Sequence, residues 1–213
     1  MNPSPRTTTL TVTLTLGLLT AGLLAGCATA PTSTSSPSAS VDRHAAVGTC
    51  DGGDGCAIGD IGPGGGRVFY DAGAEQSWGR YMEVAPADWN GESQDTMKEL
   101  WCDKYTEIAG ALSESIGSGF DNTSAMVATC SSGAANKAEM YTHGGKADWF
   151  LPSVKELEEL WRQRKVIGID GSDHYWSSST STDSHPISLA FLDGRRWATD
   201  RNEEECVRPV RTI

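Results

Sequence analysis

The sequence is short of positive charge: 17 lysines and arginines stand against 28 aspartates and glutamates, for a net charge of -11. Nucleic acids and anionic membrane surfaces attract basic proteins, so no nucleic-acid partner is expected. An acidic chain is compatible with a cation, a basic protein, or a neutral ligand such as a sugar.

The sequence also lacks the short motifs of familiar catalytic and metal sites. It has no G-x-S-x-G, no H-E-x-x-H and no C-x-x-C, and its four histidines are scattered. Nucleophilic catalysis and zinc binding need such groups in defined arrangements. We therefore expect no catalytic residue, no metal site and no enzyme activity.

No apolar run reaches the roughly 20 residues that span a bilayer. The longest, residues 10–24, follows a start whose only charged side chain is Arg6, and small residues come after it. This layout predicts a signal peptide over residues 1–26. Residues 24–27, Leu-Ala-Gly-Cys, span the predicted cleavage site and resemble the bacterial lipobox. This resemblance predicts that Cys27 carries lipid and that the protein is attached to the cell membrane, facing outside the cytoplasm. The alternative is an ordinary signal peptide with a chance cysteine near the cut.

Residues 27–46 are rich in Ser, Thr, Pro and Ala and hold no large apolar cluster. Such a segment cannot bury enough surface to offset its ordering entropy, so we predict a flexible spacer with a reach of roughly 25 Å. Residues 47–213 then form one domain of ordinary size. Its tryptophans and many glycines favour a loop-rich fold over a helical bundle.

Five of the six cysteines fall in this exported domain, where disulfides are the default. Cys50 and Cys56 flank a glycine-rich loop and are expected to pair. Cys102 and Cys130 are the next natural pair. Cys206 is left over as a buried thiol or an intermolecular partner, and sequence alone leaves other pairings open.

The pattern of β-formers, glycines and caps predicts an α+β domain. Residues 68–70 and 81–84 should form a hairpin, and the glycine run 62–66 should be a tight turn or close packing, because no Lys-Ser/Thr pair follows it as in a phosphate loop. Helices are expected over 96–111, 121–127, 134–141 and, with a Ser153–Glu156 capping box, 153–163. Strands are expected over 175–179, 187–191 and 207–212, with a turn at Asp193-Gly194.

Several phrases together resemble the DUF1566 domain, the C-terminal domain type of the Legionella collagen-like adhesin. They are DWFLPS at 148–153, YWSS at 175–178, FLDG at 191–194 and VRPVR at 207–211, with GDIGPGGGRVFY at 59–70 similar to the opening of such proteins. The resemblance covers about residues 58–211 and implies a C-type lectin-like fold with a looped antiparallel sheet and two to four short helices. The chain departs from the family pattern at Pro209, where members often carry a cysteine.

The resemblance implies a binding module that displays a lectin-like domain for a glycan or another envelope component. Aromatic rings stack on sugar faces and polar groups orient them, and the candidate ligand residues are Trp176, Ser177, Ser178, Asp193, Arg195 and Trp197. No cofactor is expected. Calcium often accompanies lectin-like folds, but the Glu-Pro-Asn motif is absent and only loop carboxylates such as Asp173 and Asp200 are on offer.

Two alternatives differ in class. One is a structural or interaction protein of the cell envelope without a small-molecule site. The other is an oxidase, from the distant kinship of the fold with formylglycine-generating enzymes. Those enzymes need a cysteine pair in the C-terminal part of the domain, where this chain has only Cys206.

Overall fold

The computed structural model describes residues 47–50, 55–91, 97–105, 108, 112–169, 171–182 and 184–213. The chain divides into two units, Met1–Arg43 and His44–Ile213. The first unit, with the predicted signal peptide, Cys27 and most of the predicted spacer, lies outside the described residues. In the described part of the chain, no helix has the length and apolar character that crossing a membrane requires.

The described residues form a mixed α+β domain with two sheets and four helices. The smaller sheet holds β1 (Arg67–Gln76), β2 (Gly79–Val84) and β8 (Val210–Thr212), in that order. β1 and β2 are the predicted hairpin, with Arg67 opposite Val84 and Gln76 opposite Gly79. The last strand of the chain thus pairs with its first hairpin.

The larger sheet has five strands in the order β3-β7-β4-β5-β6. These are β3 (Lys98–Leu100), β7 (Glu204–Cys206), β4 (His174–Thr180), β5 (Pro186–Ala190) and β6 (Arg196–Ala198). All its pairings are antiparallel except the single parallel contact of Tyr175 with Cys206. Gly194, with φ of 76°, lies in the predicted turn between β5 and β6.

The four helices are α1 (Gly119–Val127), α2 (Ala134–Glu139), α3 (Val154–Arg162) and α4 (Arg164–Ile167). The predicted capping box of α3 is present: the Ser153 hydroxyl accepts from the Glu156 amide, and the Glu156 carboxylate accepts from the Ser153 amide at 2.7 Å. The apolar face of α3 packs Leu157 and Leu160 into a core cluster with residues from both sheets.

Two predicted elements were wrong in part. The helix over 96–111 is not formed: residues 98–100 are β3, held antiparallel to β7, while 96, 106–107 and 109–111 lie outside the described residues. Pairing with a distant strand overrides local helix periodicity here. The strand over 207–212 is limited to β8, because Pro209 has no amide hydrogen to donate to a ladder.

Both predicted disulfides are confirmed. Cys50 pairs with Cys56, and Cys102 pairs with Cys130. The second bridge joins the segment after β3 to the loop between α1 and α2. Cys206 is fully buried in the core.

The glycine run 62–66 wraps a buried carboxylate. Glu83 is 0 % exposed and accepts from the Gly64 amide at 2.8 Å and the Gly66 amide at 2.9 Å. Arg211 of β8 donates to the same carboxylate at 2.5 Å. A Cβ on Gly66 would stand 2.2 Å from the Val84 carbonyl oxygen. The prediction of close backbone packing in this run is therefore confirmed.

Gly66→Ala should destabilise the domain by at least about 1–3 kcal/mol, since the added methyl group overpacks a backbone contact that cannot move independently. Gly171→Ala is the matched control, because its Cβ would meet nothing nearer than 3.6 Å. Urea denaturation followed by tryptophan fluorescence measures both. Equal midpoints for the two variants would contradict the assigned packing.

Candidate functional site

The structure divides the six predicted ligand residues between interior and surface. Trp176, Ser177 and Ser178 are 0 % exposed. The Trp176 indole donates to the Glu99 carbonyl at 2.8 Å, and the Ser177 hydroxyl donates to the Ile187 carbonyl at 2.7 Å. These three side chains lie in the interior of the domain and offer no surface to a ligand. The expectation that they contact a ligand is therefore corrected.

The other three lie on the surface around β6. Arg195 forms an exposed ion pair with Asp193 at 3.2 Å across the turn. Trp197 is half exposed and stacks on His174, with ring centroids 6.0 Å apart. They share a hairpin, but they line neither the cavity of about 420 Å³ beside Trp78 nor the cavity of about 260 Å³ beside Arg67.

The acidic loop residues do not assemble a cation site among the described residues. Asp173 lies 3.6 Å from Lys98, and Glu205 lies 3.6 Å from His174. A closer group, Cys102, Asp103 and Cys130, has the spacing of metal ligands, but its two sulfurs are joined in a disulfide.

A better site is a cavity of about 420 Å³, here called the aromatic pocket. It lies where the β1–β2 turn, the start of α1, the segment before α3 and the end of β8 meet. Its lining residues are Ser77, Trp78, Gly117, Phe120, Asp121, Asp148, Phe150 and Thr212. The volume falls within the usual range for small-molecule sites.

The position of Trp78 requires a glycine at residue 117. It occupies the two-residue turn of the hairpin, and its ring lies 6.2 Å from that of Tyr70. Gly117 has φ of 88°, and a Cβ there would stand 2.1 Å from the Trp78 ring. The indole can therefore approach the backbone only because residue 117 is glycine.

Buried Glu156 fixes the backbone beneath this contact. Its Oε1 accepts from the Gly117 amide at 2.7 Å and from the Gly119 amide at 3.2 Å. Burial raises the pKa of Glu156, and the backbone amides that donate to it offset part of that rise. The predicted capping residue thus also anchors the wall of the pocket.

Phe120 supplies a second aromatic surface. It is 52 % exposed, and its ring meets that of buried Phe150 edge to face at 6.0 Å. Asp121 follows it in the first turn of α1, where a carboxylate is favoured by the helix dipole.

Asp148 forms the polar wall. Both its oxygens accept from Arg211 at 2.8 Å, while its side chain stays 51 % exposed. The hydrogen bonds from Arg211 hold the pKa of Asp148 below its usual value. Each carboxylate oxygen keeps a further lone pair, so an ionised Asp148 can accept hydrogen bonds from a ligand.

The sequence patterns did not indicate four residues that line this pocket: Trp78, Phe120, Asp121 and Asp148. A tryptophan at the tip of a tight polar turn was the available signal for Trp78. The other three carry no local signal, because distant segments bring them together.

Comparison with models of known protein families gave no match, and a search of curated protein sequences gave none either. The resemblance to the DUF1566 domain stays a prediction.

Asp148→Asn should lower stability near neutral pH, with an effect that shrinks in acid. A lowered folded-state pKa stabilises the fold above the unfolded value of 3.8, and this stabilisation is lost as pH falls through the folded pKa. Urea midpoints of wild type and variant should converge as the pH falls below 3.8.

The comparison variant is Asp121→Asn, because Asp121 lines the same pocket but interacts with the dipole of α1 where Asp148 has an arginine partner; its pH-dependent effect should therefore be smaller. A pH-independent difference for Asp148→Asn would contradict the assigned ion pair.

Proposed function

We propose that this chain is a cell-surface lipoprotein whose exported domain binds a neutral or weakly basic glycan in the aromatic pocket. The observation that carries the proposal is the combination of two aromatic surfaces, Trp78 and Phe120, with two carboxylates, Asp121 and Asp148, in one cavity.

Aromatic side chains offer apolar faces on which a sugar ring can stack, and carboxylates accept hydrogen bonds from its hydroxyl groups. Such pockets bind by a large apolar contact that a few polar groups orient. The acidic charge of the chain also disfavours sulfated or phosphorylated glycans.

The fold and setting support this proposal. The mixed α+β architecture, and the pairing of the last strand with the first hairpin, agree with a C-type lectin-like domain of the DUF1566 type. The lipobox-like sequence at Cys27 and the spacer at 27–46 would display the domain on the membrane, facing outside the cytoplasm.

Trp78→Ala should weaken glycan binding by at least about tenfold, since truncating an aromatic anchor typically costs about 2 kcal/mol of binding energy. A glycan array identifies the strongest ligand, and calorimetric titration then compares the variants. Trp197→Ala is the matched comparison, because it removes an exposed tryptophan outside the pocket.

Loss of binding in Trp197→Ala with retention in Trp78→Ala would overturn the pocket and place the site at the β5–β6 hairpin. A flat array, with no thermal shift from calcium, would favour an envelope interaction protein without a sugar ligand. Trp176→Ala is unsuitable as a test of binding, because Trp176 is fully buried and its removal would destabilise the fold.

Cys27→Ser should abolish incorporation of lipid into the protein, because a lipobox without its thiol cannot accept diacylglycerol. Metabolic labelling with an alkyne palmitate measures this effect. Cys206→Ser is the control and should remain labelled. Undiminished labelling of Cys27→Ser would contradict the anchor.

A further inference from the structure

The lining of the aromatic pocket carries negative charge only. Asp121 and Asp148 are its charged residues, and no lysine, arginine or histidine is among the residues that line it, all of which the structure describes. The side chain of Asp148 is 51 % exposed, so its charge is open to a ligand. A cavity lined by one sign of charge attracts a ligand of the opposite sign.

The basic groups behind the lining do not cancel this charge. Arg211 donates to Asp148, and Lys146 acts on the same carboxylate at longer range. Arg211 is shared, however, because it also donates to the buried carboxylate of Glu83. Three carboxylates, those of Asp121, Asp148 and Glu83, thus face two basic groups, and one negative charge is left over.

The N-terminus of α1 also borders the pocket, and a free helix N-terminus ordinarily favours an anion. Here the amide of Gly119, the first residue of α1, already donates to Glu156 at 3.2 Å. The amide of Gly117 donates to the same carboxylate at 2.7 Å. Asp121 places a second carboxylate in the first turn. The protein itself therefore supplies the anions that this helix end favours.

The aromatic part of the lining suits a cation as well. Trp78, Phe120 and Phe150 all line the pocket. The face of an aromatic ring attracts an ammonium group that lies within about 6 Å of the ring centroid. A carboxylate adds a charge-assisted hydrogen bond, which is about twice as strong as one between neutral groups. A pocket that offers both favours an ammonium group over a hydroxyl group.

We propose that the group selected by the aromatic pocket is a protonated amine on a sugar ring, as in glucosamine. This inference rests on the proposed glycan binding and narrows it to an amino sugar. A sugar engages both carboxylates, because its hydroxyl groups donate to the oxygens that the amine leaves free. A lysine side chain carries the same amine without hydroxyl groups, so it is the less favoured source.

The test compares three trisaccharides of β-1,4-linked rings that differ only at carbon 2. The glucosamine trimer has an amine there, the N-acetylglucosamine trimer has an amide, and cellotriose has a hydroxyl group. Each is titrated into the full chain, purified in detergent, at about pH 5.5, where the amines are charged and aspartate is ionised. Calorimetry should show that the glucosamine trimer binds at least about tenfold more tightly than the other two.

Asp121→Asn should lower the preference for the glucosamine trimer over cellotriose at least about fivefold, because it removes a charge and keeps the shape. Asp193→Asn is the matched control, with the same chemical change at a carboxylate outside the pocket. The ratio of the two affinities is the readout, since a general loss of folded protein would weaken both sugars alike. If Asp121→Asn fails to fold, Phe120→Leu, which removes one aromatic face, should lower the ratio severalfold.

Equal affinity for the three trisaccharides would overturn the amine and leave the glycan proposal standing, whereas a lack of saturable binding to every sugar on the array would overturn both. A preference that survives both pocket variants, or that falls as far in Asp193→Asn, would remove the pocket carboxylate and ring from the account. Nα-acetyl-lysine methylamide is the final probe. If it binds as tightly as the glucosamine trimer, the ligand is a lysine side chain and the amino sugar is wrong.

Discussion

Glu83 and Arg211 form an ion pair in the interior of the domain, with side chains 0 % and 6 % exposed. Such a pair is tolerated only when further hydrogen bonds satisfy both partners. Here the amides of Gly64 and Gly66 donate hydrogen bonds to the Glu83 carboxylate. The Arg211 guanidinium donates further hydrogen bonds to Asp148. Removing one partner would leave a buried charge, at a cost of about 3–5 kcal/mol. The glycine loop, the first hairpin and the last strand meet at this contact.

The same contact shapes the aromatic pocket. Arg211 fixes both oxygens of Asp148, so the polar wall is in place before a ligand arrives. Glu156 fixes the aromatic wall of the pocket, since its carboxylate accepts hydrogen bonds from the amides of Gly117 and Gly119, next to Trp78 and Phe120. A site with both walls fixed loses less conformational entropy on binding, which is how a small pocket reaches useful affinity.

Features set by local physics could be predicted from the sequence. Examples are the Ser153–Glu156 capping box, the first hairpin and both disulfides. Each joins residues that lie close in the sequence or that have few other possible partners. The role of Trp176 could not be predicted. On β4, Tyr175 enters one core cluster and Trp176 enters another, so both faces of this strand are covered and the usual alternation of buried and exposed residues is lost. Asp148 and Trp78 are likewise brought to one pocket only by the folding of the whole domain.

The proposed function depends on ligand binding at Trp78. The most direct measurement is nitrogen-15 NMR of the seven tryptophan indole groups during titration with a neutral oligosaccharide selected on the array. A saturable shift of the Trp78 signal, with that of Trp197 unmoved, is predicted. A shift confined to Trp197, or saturable binding that leaves Trp78 unchanged, would contradict it.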